Sequence, residues 1–426
     1  MHRTHCKRML AVWACASIAL LSGSAALAEL PRHLRVQTLK ATPQEVFPPG
    51  AEEPQSLFFG HAVAIRNGTA FVGMPVAFDG RGRVAIFTQT ASGWQRTGTL
   101  TAPNDSNFGV CLAFRDGYVI VGAAKAVYVF RLGGGHWDLS QRLARPAGDN
   151  SPDAFSIPAP MHFESGILLI GAPIGTLQRR YGKVYVYELN AAGNFVFRTA
   201  LTASDRHDDD EFGSGVSVAS GVIVIGAPGD FRATSVGAAY VFRRNSSGAW
   251  VQRQRLVAIE TQAGDRFGAG VAIDKGMIVI GAPWADREGG PLGPPTPDGH
   301  IAGGAAYGFV PAAGVFVETF KLRPRPDENA DYAEFGRQVE MFDKRIVVAA
   351  VSSDFTRERN AYVHTYARDG STVTPVGLAA GFLDTHSIAL ANQWLLVGSP
   401  LTFSCGSAAI ACIGTAPVFD LNRFMQ

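Results

Sequence analysis

Residues 211–256 read "EFGSGVSVASGVIVIGAPGDFRATSVGAAYVFRRNSSGAWVQRQRL", and this segment contains the strongest fold signal in the chain. Four segments in it have the composition of β-strands, and the Gly, Ser and Asn residues between them are typical of turns. The segments are 215–219, 222–225, 238–242 and 249–256. The first is built of small residues, the second is wholly apolar, and the last alternates polar and apolar residues. We therefore predict a four-stranded antiparallel sheet with a crowded inner strand, a buried second strand and an outer edge in water.

The same phrase occurs seven times along the chain, at intervals of roughly 50 residues. Each copy opens with Phe-Gly or a remnant of it and reaches an apolar run that ends in Gly-Ala-Pro or a similar triplet. The openings are Phe59-Gly60, Phe108-Gly109, Phe155-Ser156, Phe212-Gly213, Phe267-Gly268, Phe335-Gly336 and His386-Ser387. The closings are Gly73-Met74-Pro75, Gly122-Ala123-Ala124, Gly171-Ala172-Pro173, Gly226-Ala227-Pro228, Gly281-Ala282-Pro283, Ala349-Ala350-Val351 and Gly398-Ser399-Pro400.

A long period filled with strands predicts a β-propeller, because a single unit could not bury its own apolar face. Other repeat folds fit less well. Leucine-rich repeats are shorter and carry one strand each. The Trp-Asp signature that ends a strand of a WD40 repeat is absent, and the Gly-Gly doublets of kelch repeats do not recur from one copy to the next. We expect an all-β protein, a seven-bladed β-propeller of four-stranded antiparallel blades. The blades should start near residues 59, 108, 155, 212, 267, 335 and 386.

The amino-terminal segment 34–41, "LRVQTLKA", matches the outer-strand segments that begin at Trp94 and Trp250. The seventh copy lacks such a strand, since it stops after its third, at 415–421. We therefore expect segment 34–41 to supply the outer strand of the last blade and close the ring, within one domain that spans 29–426. Closure of this kind removes the open edge of the array.

The phrases at 212–228 and 267–283, "FGSGVSVASGVIVIGAP" and "FGAGVAIDKGMIVIGAP", resemble the FG-GAP repeat. This repeat is the blade unit of the integrin α-subunit propeller and of many secreted bacterial proteins. The resemblance covers nearly all of the chain after residue 28, and it implies a seven-bladed propeller that acts in binding or adhesion. Calcium-binding members carry an Asp-rich loop where this chain has short Gly turns, which offer too few oxygen ligands. We therefore expect no calcium and no other cofactor.

Residues 1–28 have the features of a secretory signal peptide. An apolar run at 10–21 follows basic residues, and Ala26-Leu27-Ala28 forms a small-residue cleavage site. The run is too short to span a bilayer. We expect export to the periplasm, the medium or the cell surface.

The net charge gives no sign of a nucleic-acid partner. The 426 residues carry 38 basic and 36 acidic side chains, and 47% of the residues are hydrophobic. Loss of Arg3, Lys7 and Arg8 with the signal peptide leaves 35 basic against 36 acidic residues. The exported chain is thus nearly neutral and apolar enough for a large core.

Three cysteines follow the signal peptide. Cys405 and Cys412 lie in one short loop, and we expect them to form a disulfide in an oxidising compartment, the alternative being two free thiols. Cys111 falls on an inner strand, where we expect a small buried apolar residue.

Connections in an up-and-down blade alternate between the two faces of the ring. Those on one face are short Gly turns, and we call it the hairpin face. Those on the other, the long-loop face, are 174–182, 202–211, 229–237, 284–304, 323–334, 352–360 and 401–414. Long insertions on one face of a repeat array mark a binding face. The candidate binding residues there are Arg179, Arg180, Asp205, His207, Asp208, Asp209, Asp210, Asp286, Arg287, Arg357 and Arg359.

Acidic residues precede most of the Phe-Gly openings. They are Asp105, Asp153, 208–211, Asp265, Asp331 and Glu334. They could form a rim that attracts a cation or a basic partner, or each could accept backbone N–H bonds in a tight turn. The acidic loop 205–211, "DRHDDDE", exceeds what a turn needs, but adjacent residues rarely all face one metal ion.

No catalytic motif stands out. The histidines after residue 28 are scattered, and neither a nucleophile elbow nor a paired metal-ligand motif occurs. The favoured function is a secreted, non-enzymatic binding or adhesion module for an extracellular protein or glycan, with no transmembrane segment after the signal peptide. The alternative is a propeller enzyme that acts on extracellular polysaccharide from an axial pocket. A deep axial pocket with converging carboxylates or His would favour the enzyme, and a flat loop face the binder.

Overall fold

The computed structural model describes residues 35–46, 57–77, 80–147, 149, 160–173, 182–207, 209–229, 235–285, 303–323, 332–343, 345–352, 361–369, 372–382, 387–399 and 415–421. Within these residues the chain forms 28 β-strands and one short helix. The strands lie in seven sheets of four antiparallel strands. These sheets are the blades of a β-propeller, which confirms the expected fold.

The strands follow the chain in blade order after β1 (Arg35–Leu39) and the helix α1 (Pro43–Val46). Blade 1 holds β2 (Val63–Arg66), β3 (Thr69–Met74), β4 (Arg83–Thr90) and β5 (Gly93–Leu100). Blade 2 holds β6 (Cys111–Arg115), β7 (Tyr118–Gly122), β8 (Val127–Gly133) and β9 (His136–Leu143). Blade 3 holds β10 (Met161–Glu164), β11 (Ile167–Ala172), β12 (Lys183–Leu189) and β13 (Phe195–Leu201).

The remaining blades repeat this order. Blade 4 holds β14 (Gly215–Ala219), β15 (Val222–Ala227), β16 (Ala238–Arg244) and β17 (Trp250–Leu256). Blade 5 holds β18 (Val271–Asp274), β19 (Met277–Ala282), β20 (Ala305–Ala312) and β21 (Val315–Leu322). Blade 6 holds β22 (Tyr332–Phe342), β23 (Arg345–Ser352), β24 (Ala361–Asp369) and β25 (Thr372–Phe382). Blade 7 holds β26 (Ser387–Ala391), β27 (Trp394–Gly398), β28 (Ala416–Asp420) and β1.

The first strand of each blade lies at the ring axis. These inner strands contact one another in sequence, and the inner strand of blade 7, β26, contacts that of blade 1, β2. The second strands β7, β15, β19 and β27 are buried along their whole length, whereas the outer strand β9 is mostly exposed. The core therefore lies between blades of a closed ring.

The amino-terminal strand closes the last blade, as predicted. β1 pairs antiparallel with β28, with Gln37 opposite Val418, and Leu39 is 1% exposed. The Gln37 side chain donates a hydrogen bond to the carbonyl oxygen of Trp94 and accepts one from its N–H, both at 2.8 Å. Because Trp94 belongs to β5 of blade 1, β1 also joins the last blade to the first.

The same glutamine contact occurs at two internal seams. Gln141 of blade 2 makes the paired 2.8 Å bonds to the backbone of Phe195 in blade 3, and Gln254 of blade 4 makes them to Phe316 in blade 5. β1 thus makes the same hydrogen bonds to the next blade as the outer strands β9 and β17.

A buried ion pair further fastens the amino-terminal segment. Glu45 of α1 is 5% exposed and pairs with Arg96 of β5, with N–O distances of 2.5 and 2.6 Å. The backbone N–H of Thr42 donates to the same carboxylate at 2.9 Å. α1 therefore holds the end of β1 against blade 1.

The two glycines of the repeated phrase form the seams between blades. Gly60 donates its N–H to the carbonyl oxygen of Gly73 at 2.9 Å within the first copy. A Cβ on Gly73 would lie 2.1 Å from the carbonyl oxygen of Gly109, which opens the second copy. A Cβ on Gly398 would likewise lie 2.0 Å from the carbonyl oxygen of Gly60. Gly73 and Gly398 are required because no Cβ fits at these positions, and the last copy closes on the first.

In the five blades where the structure describes it, the phenylalanine of the phrase anchors the inner strand to the third strand. Phe108 is fully buried and packs edge to face on Tyr128 and Phe130, with ring centroids 5.7 and 5.9 Å apart. In blade 6 the corresponding tyrosine is replaced by His364, whose ring lies 4.9 Å from that of Phe335.

Blade 6 and Cys111 differ in detail from what the sequence predicts. β22 begins at Tyr332, ahead of the Phe335 opening, because Tyr332 pairs with Ser352 beyond a bulge. Cys111 was expected to be buried and is part-exposed, because it faces the ring axis. Among the described residues no helix is long and apolar enough to cross a membrane. The predictions for the signal peptide 1–28, the openings at Phe155 and His386, and the Cys405–Cys412 disulfide lie outside the described residues.

Candidate functional site

The two faces of the ring differ in the length of their connections. On the hairpin face, Asn67-Gly68, Asp116-Gly117 and Lys275-Gly276 each join two strands, and both residues of each turn have positive φ. On the long-loop face, the connection between β19 and β20 runs from Ala282 to Ala305. The longest connections between strands therefore lie on the long-loop face.

Ion pairs fix both ends of the acidic loop 205–211. The carboxylate of Asp205 lies 3.2 Å from Arg255 of β17. That of Glu211 lies 2.8 Å from Arg266, and the Arg266 guanidinium packs over the ring of Trp284 at 5.2 Å. The loop thus carries both signs of charge rather than a purely acidic surface.

Asp210 holds the middle of this loop in a turn. The backbone N–H of His207 donates to the Asp210 carboxylate at 2.5 Å. Burial raises the pKa of Asp210, and the bond from His207 opposes that rise. The His207 side chain is 79% exposed, and Asp209 has a positive φ of 68°. Asp210 therefore stabilises the turn, whereas His207 is available to a partner.

Two other acids before Phe-Gly openings also serve the backbone. Buried Asp105 accepts N–H bonds from Ser106 at 2.9 Å and Lys125 at 3.1 Å. Buried Asp265 accepts one from Gln262 at 2.7 Å. The recurring acid is thus explained at these positions by the structural interpretation, and not by a common acidic rim.

The structure brings four of the candidate binding residues, Asp205, His207, Asp209 and Asp210, into one loop. The other candidates and two further acids lie outside the described residues. These are Arg179, Arg180, Asp208, Asp286, Arg287, Arg357, Arg359, Asp153 and Asp331.

The structure contains an axial channel, the feature named above as favouring an enzyme, and it is lined by residues that the sequence did not single out. It forms a cavity of about 760 Å³ lined by the inner strands of all seven blades. Its walls at the long-loop end include Arg266, Trp284 and Arg337, and those at the hairpin end include Arg66 and Glu164. A volume of this size is typical of small-molecule sites.

Charged residues gather at the hairpin end of the channel. Arg66, Arg115, Glu164 and Asp274 are each the last residue of an inner strand, so they share one register. Arg115 and Glu164 form an ion pair at 2.9 Å. Burial raises the pKa of Glu164, the Asp274 charge adds to the rise, and Arg115 opposes it.

Two ionisable groups lie one step deeper, two residues before the strand ends. His162 accepts the N–H of Val218 at Nδ1, 3.1 Å away, and burial with the nearby Arg115 charge lowers its pKa to about 4. Burial raises the pKa of Glu340 to about 8. At neutral pH both groups are therefore uncharged.

A register comparison could have found these residues. When the inner strands are aligned on their hairpins, the positions of His162 and Glu340 hold alanine in four other blades, at 64, 113, 272 and 389. A polar or ionisable residue at a position that otherwise holds alanine is the signal.

Residues 195–242 and 250–307 match a family model described as the FG-GAP repeat. The chain contains FG-GAP repeats. Each matched segment begins in the outer strand of one blade and continues into the next, from β13 to β16 and from β17 to β20. The FG-GAP unit is therefore one strand out of phase with the blade, and this offset leaves the amino-terminal strand to complete blade 7.

Two solved structures resemble the chain at low identity. Sqt1 from Saccharomyces cerevisiae is 11% identical with a TM-score of 0.46, over 86% of this chain and 96% of that chain. A protein from Lactobacillus plantarum is 15% identical with a TM-score of 0.47, over 76% of this chain and 88% of that chain. A search of curated proteins gave no match.

Proposed function

We propose that the chain is an exported, non-enzymatic FG-GAP propeller that binds an extracellular protein or glycan through its long-loop face, in adhesion or a related role. The observation that carries the proposal is the contrast between the two-residue turns that join the first and second strands on the hairpin face and the long connections on the opposite face, such as that from Ala282 to Ala305. Residues on loops held by a rigid ring are well placed to form a binding surface.

The described part of that face fits a polar partner of mixed charge. Exposed His207 shares the acidic loop with Asp209, and the Asp205–Arg255 pair stands at the loop's edge. Such exposed pairs contribute little to stability, so these side chains are free to be exchanged for contacts with a partner.

Export and the loop chemistry complete the proposal. Residues 1–28 would direct the chain out of the cytoplasm. A Cys405–Cys412 disulfide would stiffen one long loop, and binding would require no calcium.

A second candidate is an enzyme that cleaves extracellular polysaccharide from the axial channel. The observation in its favour is the cavity itself, in which Glu340 retains a proton at neutral pH and Glu164 lies close enough to Asp274 to interact with it electrostatically. A protonated carboxyl and an ionised one are the pair that glycoside hydrolysis needs.

One set of variants separates the two candidates. The exported chain is screened against immobilised glycans and secreted proteins, and polysaccharides are tested for release of reducing ends. Combined His207→Ala and Asp209→Asn changes should weaken binding to the recovered partner at an unchanged melting temperature, because Asp210 still holds the turn. Glu340→Gln should leave that binding intact. Turnover of a polysaccharide that Glu340→Gln abolishes would instead establish the enzyme.

A further inference from the structure

Arg66 lies at the hairpin end of the axial channel. Its neighbour at the same register, Arg115, is already paired with Glu164 at 2.9 Å. Among the described residues, none makes a hydrogen bond or an ion pair with Arg66. The channel therefore presents a guanidinium whose donors no described residue uses.

Packing holds this guanidinium inside the channel mouth. Its central carbon lies 5.4 Å from the ring centroid of Phe342. Arg66 belongs to blade 1 and Phe342 to blade 6, so the side chain crosses the end of blade 7, where the small residue Ala391 ends the inner strand. Stacking on an aromatic ring orients the planar guanidinium and leaves its edges open to a ligand.

The surroundings of Arg66 favour a counter-ion. Burial lowers the pKa of Arg66, the positive charge of Arg115 lowers it further, and the carboxylates of Asp116 and Glu164 act in the opposite direction. A charge partly removed from water without a hydrogen-bonded partner is costly, and a bound anion would offset that cost.

We propose that the hairpin end of the axial channel binds a small organic carboxylate, held by two parallel hydrogen bonds from Arg66. The site is separate from the long-loop face and does not depend on the function proposed for it.

The charges around the site select for a single negative charge. A carboxylate matches the fork of donors on an arginine. A more highly charged anion would be repelled by Glu164 and Asp274 across the same ring. Glu340, two residues before Phe342 on β22, lines the cavity as well, and its pKa of about 8 keeps it from adding a repulsive charge at pH 7.

Ligand-observed NMR titration of the exported chain with acetate tests this site. Loss of a charge-assisted pair is worth about 1.5–3 kcal/mol, or roughly tenfold to a hundredfold in affinity. Arg66→Met should therefore weaken acetate binding at least tenfold, and Arg66→Lys, which keeps the charge but loses the fork, should weaken it less. Arg323→Met is the matched control, since Arg323 is exposed and paired with Glu260 outside the channel.

Circular dichroism and melting establish that each variant folds. If Arg66→Met does not fold, the result is taken from Arg66→Lys. Parent-like acetate binding in the decisive Arg66 variant would overturn the proposal. The proposal would also be overturned if the parent chain bound acetamide as tightly as acetate, or inorganic phosphate more tightly than acetate. It would be overturned as well if the parent chain showed no saturable acetate binding. A failure of any of these tests leaves the long-loop function untouched, because Arg66 does not lie on that face.

Discussion

Replacing Gln37 by alanine should weaken the seam at which the ring closes. The change removes the two 2.8 Å hydrogen bonds to the backbone of Trp94, a residue that is 2% exposed. At about 0.5–1.5 kcal/mol for each neutral bond, the expected loss in the free energy of unfolding is about 2 kcal/mol. With an unfolding entropy of about 2.1 cal/mol/K per residue, a chain of this length should melt about 2 °C lower.

Calorimetry measures that shift, and hydrogen exchange of the β1 peptide locates it. Gln37→Ala should speed exchange in β1, because the strand is the terminal element of the ring and can open by itself. Gln141→Ala is the matched control, since it removes the same pair of bonds at an internal seam. It should lower the melting temperature similarly and leave exchange in β1 unchanged. Parent-like melting and exchange in Gln37→Ala would refute the account of closure.

Three further predictions concern the seams, the channel and the loops. Gly398→Ala should lower the free energy of chemical unfolding by about 3 kcal/mol, because its Cβ would meet a backbone oxygen of blade 1. Gly133→Ala, with open space around it, should change that free energy by no more than about 0.5 kcal/mol. Equal effects would contradict the close contact described for the seam. In the folded chain Glu340 keeps its proton up to about pH 8, whereas in the unfolded chain it loses the proton near pH 4.5. Burial of Glu340 therefore destabilises the fold increasingly as pH rises between these two values. Glu340→Gln should recover at most about 3 kcal/mol at pH 7, less because the side chain is part-exposed, and an unchanged pH profile of urea unfolding would count against this. Cys405 and Cys412 should resist alkylation in exported protein until reduced, with little change in melting, since a small loop gives the low end of about 2–4 kcal/mol; two reactive thiols in native protein would disprove the disulfide.

The fold could be predicted because its causes are local and recur in every copy. Backbone contacts at the seams require glycine at positions 73 and 398, and aromatic neighbours surround Phe108. The repeated phrase is therefore enough to predict the blade. The closing strand could be recognised because Gln37 stands two residues before a buried leucine, as Gln254 does in blade 4.

The axial channel could not be predicted from any local motif. Arg66, Glu164 and Glu340 come from different blades and meet only because each lies near the end of an inner strand. Their pKa shifts arise from burial, which depends on the neighbouring blades. Asp210 shows the same limit on the long-loop face, where only geometry distinguishes a carboxylate that supports the turn from side chains that can contact a partner.

Whether partners bind the long-loop face can be measured by biolayer interferometry of two variants. One variant combines His207→Ala with Asp209→Asn, and the other combines Asp116→Lys with Lys275→Glu on the hairpin face. Against the partner recovered from the screen, the first variant should lose binding and the second should bind like the parent, with both melting normally. Lost binding in the hairpin-face variant, with the loop variant unaffected, would show that the binding face has been assigned wrongly.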